Sequence, residues 1–314
     1  MIIGHERQIE YINRVLQKNR LAHAYFLYGP EHIGKLAVAQ ALAQALACKN
    51  YRSPTSIIFT QGACGACTDC RTIERGAHPQ VILLNLTHTL TSEKNERSAI
   101  PIRDIQELKR LFSLMPAGDT WRIAIIDGVD TMSGDAADAF LKLLEEPGAR
   151  TLFFLIAPTR ESVAPTIVSR AVPIRFSLVP DAMLTAFAEK HMPRENIQEI
   201  VRLTAGRPGI LVEFSRDAAR IKEAKQALAS FTAALEGGIP SALLFTEKAA
   251  TGDWSAAVAM LARELRERMH ASASPQERTD SAHRIARMID LYESLEDTNV
   301  NPRLLLDAMF IQVI

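Results

Sequence analysis

The chain has 314 residues, 47% of them hydrophobic, and carries 36 Lys+Arg against 36 Asp+Glu. That length accommodates two or three domains of roughly 100–200 residues each, and the apolar share supplies a packed core and excludes a disordered chain. The charge balance argues against a protein that grips nucleic acid unaided, which would show a basic excess. With no basic segment followed by an apolar run at the start, and no apolar run near the roughly 20 residues of a membrane span, a cytoplasmic location is expected.

In chain order, Glu6 to Asn19 reads as an amphipathic helix, with Ile9, Ile12 and Leu16 at helical spacing. His23 to Tyr28 is a short apolar strand, Gly29 to Gly34 a loop and Lys35 to Ala47 an Ala- and Leu-rich helix. A cysteine segment follows, then a strand over Gln80 to Leu86 and a polar stretch over Thr87 to Ser98. Pro101 suits the first turn of a helix running to Met115. Trp121 to Asp127, Thr151 to Ala157 and Ala171 to Phe176 complete five strands, with a helix over Ser133 to Leu144 between the first two. Continuously apolar strands alternating with helices point to a parallel sheet covered on both faces. From about Pro180 the pattern turns helical: Asp181 to Lys190, Arg194 to Thr204, Val212 to Glu236 and further helices to Ile314. Gly206-Arg207-Pro208-Gly209 and Gly237-Gly238-Ile239-Pro240 read as breaks. The expected domains are an α/β domain over 1–178, a small helical domain over 179–236 and a C-terminal helical domain over 237–314.

Gly29-Pro30-Glu31-His32-Ile33-Gly34-Lys35 follows a predicted strand and opens a predicted helix, the context of a phosphate-binding Walker A loop. There, backbone N–H groups at a helix N-terminus cradle phosphates and the lysine adds charge; the alternative is a glycine turn with a chance lysine. The next position, where Ser or Thr ligates Mg²⁺, is Leu36. The strand Ile123 to Ile126 runs into Asp127 as a Walker B strand does, yet the water-orienting glutamate that should follow is Gly128. Binding of ATP or ADP through Lys35 and the loop amides is compatible with these residues; efficient hydrolysis is not expected.

The four cysteines are Cys48, Cys64, Cys67 and Cys70. Four thiolates, three at two-residue spacing, suit tetrahedral structural Zn²⁺ in a module at about 48–72. The alternatives are free thiols in a loop or a redox pair, and four clustered cysteines outside a thioredoxin-like context weigh against both. His78 before Pro79 is expected to be a loop or strand-start residue, not a ligand.

Asp138 to Pro147 (DAFLKLLEEP), Thr151 to Leu155, Pro165-Thr166-Ile167-Val168-Ser169-Arg170, Arg20 to Tyr25 and the cysteine cluster followed by His78-Pro79 together resemble the bacterial clamp-loader subunits of DNA polymerase III. The resemblance covers about residues 1–215 and is strongest to the delta-prime type. It implies a AAA+ module with a zinc-binding insertion, then a helical lid and an all-α collar. It also implies a five-subunit ring with gamma/tau and delta subunits that loads the sliding clamp at primer–template DNA. The family's Ser-Arg-Cys motif carries an arginine that reaches the neighbouring subunit's ATP; here the matching residues are Ser169-Arg170-Ala171. The lid's Gly-x-x-Arg turn matches Gly206 to Gly209, so its arginine is absent and Arg207 lies two positions early. Leu36, Gly128 and Gly209 therefore favour a stator over the rival reading, an ATP-hydrolysing gamma/tau-type motor. A stand-alone zinc-containing DNA-binding module is the third reading, and the neutral charge balance counts against it.

Overall fold

A computed structural model describes residues 2–50, 63–87, 90, 98–114, 120–193, 196–249, 261, 266, 269, 274–297 and 302–313. Five strands, β1 (Ala24–Tyr28), β2 (Val81–Leu84), β3 (Arg122–Asp127), β4 (Thr151–Ala157) and β5 (Val172–Arg175), form one sheet in the order β2-β3-β4-β1-β5. Every pairing is parallel, with Tyr25 opposite Phe154 and Val172, and Ile125 opposite Phe154.

The inner strands are continuously apolar through their middles because both faces are covered there, and polar residues (Arg122, Asp127, Thr151) stand only at strand ends. Side chains alternate across the pleat, so Ala24, Phe26, Ala124, Ile126, Phe153 and Leu155 share one core with Ile105, Leu108, Ala136, Phe140 and Leu144 of the helices Ile102–Leu114 and Gly134–Glu145. Tyr25, Leu27, Ile123, Ile125, Leu152 and Phe154 face the opposite core with Ile12, Val38, Ala39, Leu42 and Ala43 of the helices Glu6–Gln17 and Lys35–Ala47. At the rim, Phe176 N–H donates to the Tyr28 carbonyl, so Pro173 and Arg175 turn their backbone groups outward. The Gln8 amide donates to the Arg175 carbonyl at 2.6 Å.

The chain divides into two compact units, residues 1–187 with 206–209, and residues 188–205 with 210–314. The first holds the sheet. In the second, Phe231, Phe245 and Phe310 pack with ring centroids 5.4–5.8 Å apart. The Thr246 hydroxyl donates to Asp307, and Lys225 pairs with Glu199 at 2.7 Å.

The helix expected over Val212 to Glu236 is two helices, Pro208–Arg216 and Ala218–Glu236. Asp217 separates them because its carboxylate accepts from the Ala219 N–H at 2.9 Å and caps the second. Pro208 opens a helix, as its missing N–H allows at a first turn, and Gly238 likewise begins the helix Gly238–Ala249. Most of the polar stretch 87–98, the residue ending the helix expected to reach Met115, and Arg194 lie outside the described residues.

Candidate functional site

β1 ends at Tyr28 and delivers the chain into the loop that precedes the helix Lys35–Ala47. Gly29 has φ +144°, and a Cβ there would lie 2.2 Å from the Phe176 carbonyl oxygen, so only glycine lets the loop pass the end of the sheet. Gly34, at φ +105°, caps the helix. The ring of His5 is packed edge-on to Phe176 and its Nε2 lies 2.8 Å from the Ile33 carbonyl oxygen, tying the chain start to this loop.

Lys35 is 7% exposed, and its ammonium donates to the carbonyls of Gly29 at 2.5 Å and Pro30 at 2.8 Å. Burial pulls its pKa down to about 8, against the opposing pull of Asp127, Glu31 and Asp130, while the positive charge of Arg207 adds to the lowering. Asp127, at the end of β3, and Asp130, in the 3₁₀ turn Val129–Thr131, are both pushed up by burial. Asp130 Oδ1 and Arg207 Nε are buried without a hydrogen-bond partner among the described residues. Lys35 and Arg207 together suit a polyphosphate anion.

Leu36, Gly128 and Gly209, the positions at which hydrolytic side chains are expected to be missing, are each fixed by their surroundings. Leu36 packs its side chain against the apolar core instead of offering a metal ligand. Gly128 sits at φ +96°, and a Cβ there would lie 3.2 Å from Thr131 Oγ1, a left-handed conformation that a glutamate adopts only under strain. Gly209 lies against the loop itself through a hydrogen bond to the His32 carbonyl.

Arg170 follows the short helix Pro165–Val168, after β4 and before β5. Its Nη1 donates to the Thr166 carbonyl at 2.8 Å and lies 3.4 Å from Ser169 Oγ; its Nη2 donates to Glu145 Oε1 at 2.6 Å. Glu145 was not singled out in the sequence, although a pair of glutamates at a helix C-terminus, the negative end of the helix dipole, is a signal that something positive lies beside them.

The four cysteine sulfurs lie within 4.8 Å of one another. A zinc–sulfur distance of about 2.3 Å sets tetrahedral S···S edges of roughly 3.8 Å; Cys48 Sγ lies 3.6 Å from Cys64 Sγ and 3.9 Å from Cys67 Sγ. Backbone N–H groups of Cys64, Cys67 and Cys70 point at the sulfurs of Cys48, Cys64 and Cys67 at 3.3–3.4 Å. Hydrogen bonds from the N–H groups of Ala66 and Cys67 pull the Cys64 thiol down to about 6, whereas burial pushes Cys48 and Cys70 up. The donor set fits a closed, structural zinc. His78 stands apart from the sulfurs: Nδ1 accepts from the Gln80 N–H, and Nε2 faces Asp69 at 3.6 Å.

A parallel sheet with a lysine-bearing loop between its β1 strand and the following helix, and an aspartate ending β3, defines a P-loop α/β protein of the AAA+ type. The sequence profile of the family described as "DNA polymerase III, delta subunit" matches residues 4–180, more than half of the chain, and the chain belongs to that family. It is similar to DNA polymerase III subunit delta' of Pseudomonas aeruginosa, with 31% identity over 192 residues, 60% of this chain and 54% of that protein. To subunit delta' of Bacillus subtilis it is 28% identical over 211 residues, 63% and 58% of the two chains. To subunit tau of Salmonella typhimurium it is 30% identical over 171 residues, 54% of this chain and 24% of the other. The matches thus span little more than half the length of the delta' relatives and about a quarter of the tau relative, at similar identities. No helix among the described residues is long and apolar enough to cross a membrane.

Proposed function

We propose that the chain is a delta-prime-type subunit of the DNA polymerase III clamp loader. In this reading it is a stator that does not hydrolyse ATP efficiently and supplies Arg170 to a neighbouring subunit's ATP site. The observation that carries the reading is the nucleotide site, which keeps Lys35 but has Leu36 in an apolar core and glycines at 128 and 209 where side chains are excluded or strained. ATP or ADP would be held by Lys35, Arg207 and the loop amides. The segments 179–236 and 237–314 would act as lid and collar in a five-subunit ring with gamma/tau and delta subunits. The sliding clamp and primer–template DNA would be met through that assembly, in the cytoplasm. Cys48, Cys64, Cys67 and Cys70 would hold one structural Zn²⁺, which ties the end of the helix Lys35–Ala47 to the start of the helix Thr68–Glu74.

Arg170 supports the trans-acting reading through its chemistry. A planar guanidinium grips phosphate oxygens, and an arginine supplied by a neighbour is worth ~10³–10⁵ in rate in GTPase examples. A ring with several ATP sites shows less, because only one site faces this chain. Arg170→Ala, reconstituted with the other subunits, should leave zinc content and ring size intact and lower clamp- and DNA-stimulated phosphate release. An intact mutant ring working at the wild-type rate would overturn the assignment. The motor reading, kept in view by the similarity to tau, requires steady ATP turnover by the pure chain.

A further inference from the structure

Glu145 occupies the last turn of the helix Gly134–Glu145, with Glu146 as its C-cap. Unpaired helix carbonyls there repel carboxylates and favour cations, so the helix gains nothing from an acid at this position. The side chain is half exposed, and its Oε1 accepts from Arg170 Nη2 at 2.6 Å across 25 residues of sequence. On the other edge of the same guanidinium, Thr166 O accepts from Nη1 at 2.8 Å, with Ser169 Oγ at 3.4 Å. Ser169 Oγ is itself fixed by donating to Thr166 O at 3.0 Å. The guanidinium is thus held at both ends by groups of its own chain. Nε–H and the second Nη2–H have no acceptor among the described residues, and the side chain remains 35% exposed.

We propose that Glu145 is a positioning residue for Arg170. Its carboxylate, together with the Thr166 carbonyl, fixes the rotation of the planar fork and leaves one set of N–H groups turned toward a phosphate oxygen that a neighbouring subunit presents. This rests on the trans-acting reading of Arg170. The alternative is a counter-ion that merely restrains the arginine. Such a partner would cover the fork, whereas here two N–H groups stay open. Orientation matters because an unfixed arginine samples many rotamers, few of which aim the fork outward.

The test is ATP-dependent phosphate release by the complex reconstituted with its partner subunits, clamp and primed DNA, measured across ATP concentrations. Glu145→Ala should lower kcat toward, and not below, the rate of the Arg170→Ala complex, a loss capped by the share of turnover carried by the one site this chain faces. KM should not change, since the neighbour's own loop binds the nucleotide. Glu145→Gln keeps an acceptor at the same reach and should recover most of the rate. Glu145→Lys repels the guanidinium yet suits the helix end, so it should fold normally and be at least as slow as Glu145→Ala. In an Arg170→Ala background each Glu145 variant should be silent. If Arg170→Ala itself runs at the wild-type rate, the trans-acting reading fails. If Arg170→Ala is slow while Glu145→Lys matches or exceeds wild type, or if Glu145 variants slow the Arg170→Ala complex further, the positioning role is wrong and the trans-acting reading stands.

Discussion

The backbone N–H of Gly209 donates to the His32 carbonyl at 2.7 Å, and a Cβ placed on Gly209 would lie 2.6 Å from that same oxygen. Gly209, which the proposed reading matches to a lid-arginine position, is therefore pressed, main chain to main chain, against the loop before the helix Lys35–Ala47. Gly209→Arg should not restore a working lid. It should lower stability by about 1–3 kcal/mol, as overpacking does, and Gly209→Ala should do nearly the same because the clash begins at Cβ. Thermal denaturation of the pure chain checks this, and an arginine variant as stable as wild type would show that the turn is free to move.

Lys35 sets a pH dependence. Its pKa is lowered from 10.5 to about 8, first by burial, so between these values the unfolded chain holds the proton and the native chain does not. Stability therefore rises with pH through that window, and below about pH 8 the native state bears the full cost of a desolvated ammonium. Measured against Lys35→Met by urea denaturation, the wild type should gain on the order of 3 kcal/mol from pH 7.5 to 10.5. Parallel curves for the two proteins would show that the ammonium is not desolvated in the native state.

Turnover by the isolated chain should not exceed that of Lys35→Ala. Leu36→Thr combined with Gly128→Glu should not revive it, because Gly128 sits at φ +96° and a left-handed non-glycine residue costs ~1–3 kcal/mol. Phosphate release that is steady in the wild type and lost on Lys35→Ala would overturn this.

Protein purified without chelator should contain about one zinc per chain, bound by four thiolates with no open coordination position. Metal analysis and thiol alkylation check this together. Less than about half an equivalent, with all four cysteines alkylated in the native state, counts against the site. Removal of the metal should lower the melting temperature, since binding free energy of this kind is also folding free energy.

The sheet was legible because fully buried parallel strands are unbroken apolar runs. Thr151–Ala157 matches its expected bounds, β1 and β3 start one residue later than expected, and β2 and β5 are shorter than expected by one or two residues at each end. Leu36, Gly128 and Gly209 were legible as departures from a motif, but the backbone reasons for the two glycines depend on Thr131 and His32, which approach only in the folded chain. Asp217 went unnoticed as a cap because the apolar residues flanking it continue a helical pattern through it. Arg207 counts in sequence as a displaced arginine, and only folding brings its charge to bear on Lys35. The acidic end of the helix Gly134–Glu145 hints at a positive neighbour, but the partnership of Glu145 with Arg170 spans two elements, so only folding shows which residue it is.

Open strand edges invite pairing with foreign chains. Along the outward side of β5 the first backbone donor is missing because the residue is Pro173, and the Arg175 carbonyl is already taken by the Gln8 amide. A stray β-segment, from a misfolded copy or a nascent chain, finds little template there. This rim therefore offers little to seed aggregation, and Gln8→Ala should make the protein measurably stickier.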